Sequence, residues 1–173
     1  PVANQEVPTA MTGSVFIPRD PGYEPRVRES FARQGAMRHI GAHLAELAPG
    51  YCAITLVPRP ELAQQHGYVH AGIVSTIVDS AGGYAGYTLF PADSSVLTVE
   101  FKLNLLAPAD GERLVAEGFV VKPGRTLVIT RGEVHAERAG RAGLANNKAA
   151  LSKQRHERRV PRQDANLSVE GRG

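Results

Sequence analysis

The chain has a single cysteine, no tryptophan and few aromatic residues of any kind. With Cys52 alone, an intramolecular disulfide and a metal site built from several cysteines are both excluded. No apolar run is long enough to cross a bilayer, because glycine, aspartate or lysine interrupts each one. The N-terminus lacks the basic start and apolar stretch of a signal peptide. We therefore expect a cytoplasmic protein, and 173 residues are enough for one ordinary domain.

Positive charge is in excess only near the C-terminus. The formal net charge is +3, and residues 153–173 contain six basic and three acidic side chains, which accounts for all of it. This segment has no periodic apolar face and no aromatic side chain to stack on a base. We predict a flexible basic tail at 153–173 and no nucleic-acid partner. Five prolines within residues 1–25 predict an extended N-terminal arm.

The segment Arg26–Ala48 has the pattern of an amphipathic helix that ends at Pro49-Gly50. Apolar side chains recur there every three to four residues, at Met37, Ile40, Leu44 and Leu47. The next segment, Tyr51–Val57, is rich in β-forming residues and is stopped by Pro58, which predicts a strand. Residues 61–69 are mostly polar, and we predict a loop.

A second helix is predicted over His70–Phe90, the most apolar segment of the chain. Ile73, Ile77, Ala81 and Tyr84 keep helical spacing, and the remaining faces are apolar too, as in a buried helix. Its glycines would each cost about 1 kcal/mol in an exposed helix. They are explained if another element packs closely against that side of the helix.

Four β-rich segments follow Pro91, at residues 95–106, 113–121, 126–136 and 144–151. Turn signals separate them, including Asp110-Gly111 and the run Lys122-Pro-Gly-Arg125. Together with the strand before the central helix they predict a five-stranded antiparallel sheet. The order of elements is that of an α+β fold and not of alternating βαβ units. We place the domain at 26–152.

Asp79 is the strongest candidate for chemistry. It lies in the middle of the apolar helix, where an unpaired carboxylate is costly, so such a group is paired, raised in pKa or functional. A second candidate site is the start of the same helix, His70-Ala71-Gly72. Free backbone N–H groups at a helix N-terminus can hold an oxyanion, although the same residues also suit an ordinary helix start.

Other polar residues carry weaker signals. The loop amides Gln64 and Gln65 could orient a water or a carbonyl, or could simply be solvated. Thr98 lies on a predicted strand and could face the same pocket as Asp79. Lys122 and Arg125 could meet phosphates, although exposed turns are commonly charged.

In combination, these residues resemble a known family. The run Glu61–Tyr84, with a loop amide, a His-Ala-Gly helix start and Asp79 nine residues after His70, is similar to the signature of PaaI-type hotdog-fold thioesterases. The segment Leu97–Pro108 and the turn at Lys122–Thr126 resemble the family's later strands. The resemblance covers residues 31–151. It implies a central helix wrapped by a curved antiparallel sheet, here with an extra N-terminal helix.

The resemblance also implies a function. The family hydrolyses acyl-CoA thioesters without a metal or other cofactor, as dimers and usually as dimers of dimers, so a homotetramer is expected. Asp79 would activate water or attack the thioester, and the N–H of Ala71 or Gly72 would polarise its carbonyl. Gln64 stands in the place of an Asn, and Thr98 in that of a Ser or Thr near the nucleophile. Candidate substrate-binding residues are His70, Ser80, Tyr84, Lys122 and Arg125.

The spacing of the two main candidates bears on the oligomer. Gly72 and Asp79 are seven residues apart, which places them on one stripe of a helix but about 10 Å apart along its axis. Catalytic contacts are near 3 Å, so one thioester carbonyl cannot reach both groups of one chain. We predict a composite site across a two-fold dimer.

Three alternatives remain open on the sequence. A hotdog hydratase or dehydratase would act on the same class of thioester, and a non-catalytic hotdog module would bind acyl-CoA without turnover. The glycines at residues 82, 83 and 86 could also form a nucleotide-binding turn. However, their spacing is not that of the dinucleotide motif, and no βαβ order follows.

Overall fold

A computed structural model describes residues 16–140 and 143–159. It contains three α-helices, α1 Tyr23–Ala32, α2 Gly35–Ile40 and α3 Ala71–Tyr87. The six strands are β1 Ala42–Ala48, β2 Tyr51–Leu56, β3 Ser95–Leu105, β4 Arg113–Lys122, β5 Leu127–Gly140 and β6 Gly143–Arg159. The α+β class and the hotdog arrangement, a long helix against an antiparallel sheet, are confirmed.

The sheet has the order β1-β2-β4-β5-β6-β3, with antiparallel neighbours throughout. Helix α3 lies across it, and its glycines make the close approach possible. A Cβ at Gly82 would overlap the Gln154 side chain of β6, and one at Gly86 would lie 2.7 Å from Val128 of β5. The predicted explanation of these glycines is therefore correct. Because α3 packs this closely, side chains of β5 and β6 reach its buried face.

The single helix predicted over Arg26–Ala48 is wrong. The segment forms α1, α2 and then β1, so the sheet has six strands instead of five. Gly41 ends α2 in the left-handed region at φ 74°, and β1 then pairs with β2. A bulge between Leu44 and Glu46 shifts the register of β1, so Leu44 and Leu47 both pack against the core. This spacing of three within a bulged strand imitated helical periodicity.

Both predicted domain boundaries also change. Helix α1 begins at Tyr23, inside the predicted arm 1–25, and residues 1–15 lie outside the described part. Strand β6 continues to Arg159, beyond the predicted end at residue 152, and it buries Gln154 and His156. Residues 160–173 of the predicted tail lie outside the described residues.

Helix α1 is held against the end of α3 by one arginine. The Arg26 guanidinium donates to the carbonyl of Phe90 at 3.0 Å, lies 4.2 Å from the centre of the Tyr87 ring and pairs with Asp20. Positive charge near the last carbonyls of a helix is stabilising. This contact sets α1 beside the outer face of α3. In the described part of the chain, no helix combines the length and the apolar character needed to span a bilayer.

Candidate active site

The start of α3 is capped by a side chain. His70 occupies the N-cap position, and its Nδ1 accepts a hydrogen bond of 2.9 Å from the N–H of Gly72. Of the two predicted oxyanion donors, Gly72 is thus already engaged by a side chain. The N–H of Ala71 has no hydrogen-bond acceptor within residues 16–140 and 143–159. The ring of His70, predicted to bind substrate, faces the helix start in this structure.

Gln64 and Ala71 share one cavity of about 390 Å³, whose wall also includes Tyr68, Val69, Val74 and the segment 105–109 at the end of β3. The loop that holds Gln64 is tight. The backbone N–H of Gln64 donates to the carbonyl of Tyr68 at 2.8 Å, and Ala63 forms an isolated antiparallel β-bridge with Val69. The Gln64 side-chain oxygen accepts from the N–H of His66. Its amide nitrogen is therefore the end that remains to meet a ligand.

Asp79 lines a different cavity, of about 520 Å³, together with Ser80, Tyr84 and Thr98. Burial raises the pKa of the Asp79 carboxyl, and the hydrogen bond with Thr98 acts in the opposite direction. The Thr98 hydroxyl lies 3.0 Å and 3.2 Å from the two carboxylate oxygens. The structure thus brings Asp79 and Thr98 together at one cavity.

Behind Thr98 lies a residue that sequence reasoning missed. His156 is fully buried on β6, and its Nδ1 is 3.1 Å from the Thr98 hydroxyl. Burial lowers the pKa of His156 to about 4, so the imidazole is neutral at ordinary pH. The available signal in the sequence was an alternation of residue type along β6. Ser152, Gln154 and His156 are all buried, whereas the charged residues Lys153 and Arg155 between them are exposed.

The two cavities do not merge on one chain. The first contains Gln64 and Ala71, and the second contains Asp79, Ser80, Tyr84 and Thr98. Ala71 and Asp79 are eight residues apart on α3, about 12 Å along its axis. The carbonyl group of a reacting thioester could therefore contact either Ala71 or Asp79 of one chain, but not both.

A family model described as the thioesterase superfamily matches residues 66–142. A thioesterase family protein from Silicibacter pomeroyi is 43% identical, with a TM-score of 0.77 over 81% of this chain and 100% of that one. This chain belongs to the thioesterase superfamily. The predicted family is thereby confirmed, and so, in general terms, is hydrolysis of an acyl thioester.

Two further relatives of this thioesterase are more distant. A Saccharolobus solfataricus protein whose name contains the word esterase is 31% identical over 103 residues, 60% of this chain and 68% of that one. The Escherichia coli PaaI protein of the phenylacetic acid degradation operon is 16% identical, with a TM-score of 0.63 over 75% of this chain and 88% of that one. At that identity, the PaaI comparison shows a common fold.

The remaining predicted residues of this thioesterase divide into two groups. Ser80 and Tyr84 line the Asp79 cavity, and the Tyr84 hydroxyl accepts a 2.6 Å hydrogen bond from the Gln34 side chain. Gln34, which precedes α2, was also missed, because nothing in its sequence surroundings distinguishes it from an exposed polar residue. Lys122 and Arg125 are exposed at the β4–β5 turn and line neither cavity.

Proposed function

We propose that this thioesterase hydrolyses acyl-CoA at a site shared by two copies of the chain. One copy supplies Ala71 and Gln64 at the start of α3, and its partner supplies Asp79 with Thr98. The observation that carries the proposal is the separation of these groups into two cavities, about 12 Å apart along α3. A second chain related by a two-fold axis would bring one of each together.

Strand β3 is a suitable edge for that pairing. It ends the sheet and has β6 as its one neighbour there. Leu97, Val99 and Phe101 on it are 48%, 56% and 43% exposed. A long apolar edge strand is normally covered, since it otherwise invites uncontrolled pairing. Thr98 lies between these residues, so pairing of two β3 strands would bring the Asp79 cavity up to the partner chain.

The proposed reaction uses the groups that the two chains supply to the shared site. The N–H of Ala71, at the positive end of the helix dipole, would donate to the thioester oxygen as it becomes negatively charged. Asp79 would take a proton from a water that adds to the carbonyl carbon. The carbon–sulfur bond then breaks, and the thiolate leaves and takes up a proton. Alternatively, the Asp79 carboxylate itself adds to the carbonyl, the carbon–sulfur bond breaks as the thiolate leaves and takes up a proton, and water then hydrolyses the resulting anhydride to the acid and the Asp79 carboxylate.

These two routes differ in where the oxygen of water goes. In a single turnover in heavy-oxygen water, a nucleophilic Asp79 acquires the label when the anhydride is hydrolysed at its own carbonyl. A general base stays unlabelled while the released acid carries the label. Mass spectrometry of the peptide that contains Asp79 distinguishes the two.

The first test is release of free thiol from a panel of acyl-CoA substrates that includes aryl, medium-chain and branched acyl groups. We expect turnover of at least one group, detected with a chromogenic thiol reagent. A hydratase or dehydratase would change the acyl chain and release no thiol. An acyl-CoA that binds tightly and stays intact would instead favour a binding module.

The shared site is tested by mixing two inactive variants, Asp79→Asn and Ala71→Pro, with different affinity tags. In a purified mixed dimer, one site would carry both substitutions and the other would carry neither. We therefore expect about half of the wild-type activity per dimer. A dimer in which both tagged chains carry Asp79→Asn is the control. If each site belonged to one chain, the mixed dimer would stay as inactive as its parents, and the proposal would be contradicted. A fully active monomer would contradict it as well.

A further inference from the structure

A chain of buried polar side chains leads from Asp79 into the core between α3 and the sheet. It passes from Asp79 to the Thr98 hydroxyl, from there to Nδ1 of His156 at 3.1 Å, and from Nε2 of His156 to the Gln154 side-chain oxygen at 2.8 Å. Each of these groups has a limited number of hydrogens. Counting them establishes which way each hydrogen bond runs.

The orientation of the Gln154 amide is set by a group that is not part of this series of hydrogen-bonded side chains. Its amide nitrogen lies 2.8 Å from the backbone carbonyl of Val78, and a carbonyl can only accept. The nitrogen must therefore face Val78, and the oxygen must face His156. Since an amide oxygen only accepts, the Nε2 atom of His156 has to carry a hydrogen. Thr130 can donate to the same oxygen at 3.3 Å.

His156 then has no second hydrogen to offer. The ring is fully buried and neutral, so its one hydrogen is on Nε2 and Nδ1 is an acceptor. Thr98 has a single hydroxyl hydrogen, and both Nδ1 and the Asp79 carboxylate lie within reach of it. If the hydrogen goes to Nδ1, a carboxylate at Asp79 faces only oxygen lone pairs. A protonated Asp79 can instead donate to Thr98.

We propose that His156 is a positioning residue for the proposed catalytic carboxylate, and that it acts by competing with Asp79 for the single hydroxyl hydrogen of Thr98. When Asp79 is protonated, the hydrogen bonds of this series run inward, from Asp79 through Thr98 and His156 to Gln154. Ionisation of Asp79 leaves one donor for two acceptors. His156 thereby sets the pH at which the carboxylate becomes available, an inference that rests on the proposed function of Asp79.

The surroundings of His156 contain no competing charge among the residues described. From α3 it is faced by Asp79, through Thr98, and by Gly83, where an added Cβ would lie 3.5 Å from the ring. Strand β5 contributes the uncharged Thr130. On β6 itself the neighbour Arg155 is exposed and pairs with Glu100 on the far side of the sheet. The Glu157 carboxylate lies 3.3 Å from the Arg159 guanidinium.

The test compares the pH dependence of kcat/KM in four proteins. In wild type, activity rises with pH as Asp79 ionises. In His156→Leu, Thr98 is released to donate to the carboxylate, so the acid limb should move to lower pH by about one unit. Gln154 keeps its Thr130 donor in this variant. Thr98→Val removes the connecting hydroxyl. Adding His156→Leu to that variant should therefore leave the acid limb at the same pH as in Thr98→Val alone.

A merely structural role for His156 would lower activity or stability without this pattern. An acid limb that stays in place, or moves equally in both backgrounds, would overturn the proposal. If His156→Leu does not fold, nitrogen NMR of the wild-type protein with labelled histidine gives the answer directly. We expect a neutral Nε2–H tautomer throughout the active pH range, and an Nδ1–H tautomer would refute it. This measurement needs no activity, so it separates failure of the inference from failure of the proposed function.

Discussion

Replacement of Asp79 by asparagine is expected to lower kcat by a factor of about 100 to 10,000, the usual contribution of a positioned acid–base group. Asparagine has nearly the same shape as aspartate and can still hydrogen bond to Thr98. It is neither a base nor a useful nucleophile at neutral pH. Steady-state rates of thiol release, measured with the best acyl-CoA of the panel, provide the value.

A matched control is Asp110→Asn. Asp110 is exposed, pairs with Arg138 and lies outside both cavities, so the same chemical change there should leave the rate within about twofold.

Loss of folding should not complicate the result for Asp79→Asn. The folded pKa of Asp79 is raised, so its ionised form destabilises the fold once the pH exceeds that pKa, and asparagine removes this cost. Thiol release by Asp79→Asn at the wild-type rate, from a protein of unchanged melting temperature, would exclude Asp79 from the chemistry.

Ala71→Pro is expected to lower kcat by a factor of about 100 to 1,000, the usual effect of losing one oxyanion donor. Proline has no N–H, and it is well tolerated at the first position of a helix. The residue before it, His70, already has the extended backbone that proline requires, with φ −59° and ψ 137°. The variant therefore removes one hydrogen-bond donor while the helix start is preserved.

Ala71→Gly is the control, because it retains the N–H and removes only a methyl group. We expect its kcat to stay within a few fold of wild type. Full activity of Ala71→Pro would show that another group holds the oxyanion. In that case Gly72 is the next candidate, since rotation of the His70 ring would free its N–H.

The central helix was predictable because several independent signals agree there. The segment from Ala71 to Tyr87 is apolar nearly all round and contains no proline. A buried helix of this kind has one acidic residue, Asp79, so attention falls on it without knowledge of the fold. Its contact with Thr98 required the three-dimensional pairing of α3 with β3, which spacing alone cannot provide.

The N-terminal helix was mispredicted for a local reason. A strand with alternating side chains and a strand with a bulge have different apolar spacings, and the bulge in β1 gives the spacing of a helix. The residues that could have corrected the prediction are glycines. Gly41 and Gly50 both adopt positive φ, one where α2 ends and the other in the turn between β1 and β2.

His156 was missed because β6 is polar from Ser152 onward. Composition alone made residues after 152 resemble a flexible tail. The inward-facing polar residues, however, find hydrogen-bond partners on three other elements. A polar side chain can be buried without large cost when such partners exist, and they are distant in sequence. Only the fold reveals them.

The position of β3 in the sheet has a consequence for biosynthesis. Its one neighbour within the sheet is β6, the last strand among the described residues, and Thr98 contacts a residue 58 positions later. Contacts between distant segments form slowly, and chains fold from the N-terminus as they emerge from the ribosome. The nascent chain must therefore expose this apolar edge until β6 has been translated. The edge that we propose recruits the second subunit thus matures only when β6 has joined the sheet, and it does so together with the surroundings of Asp79.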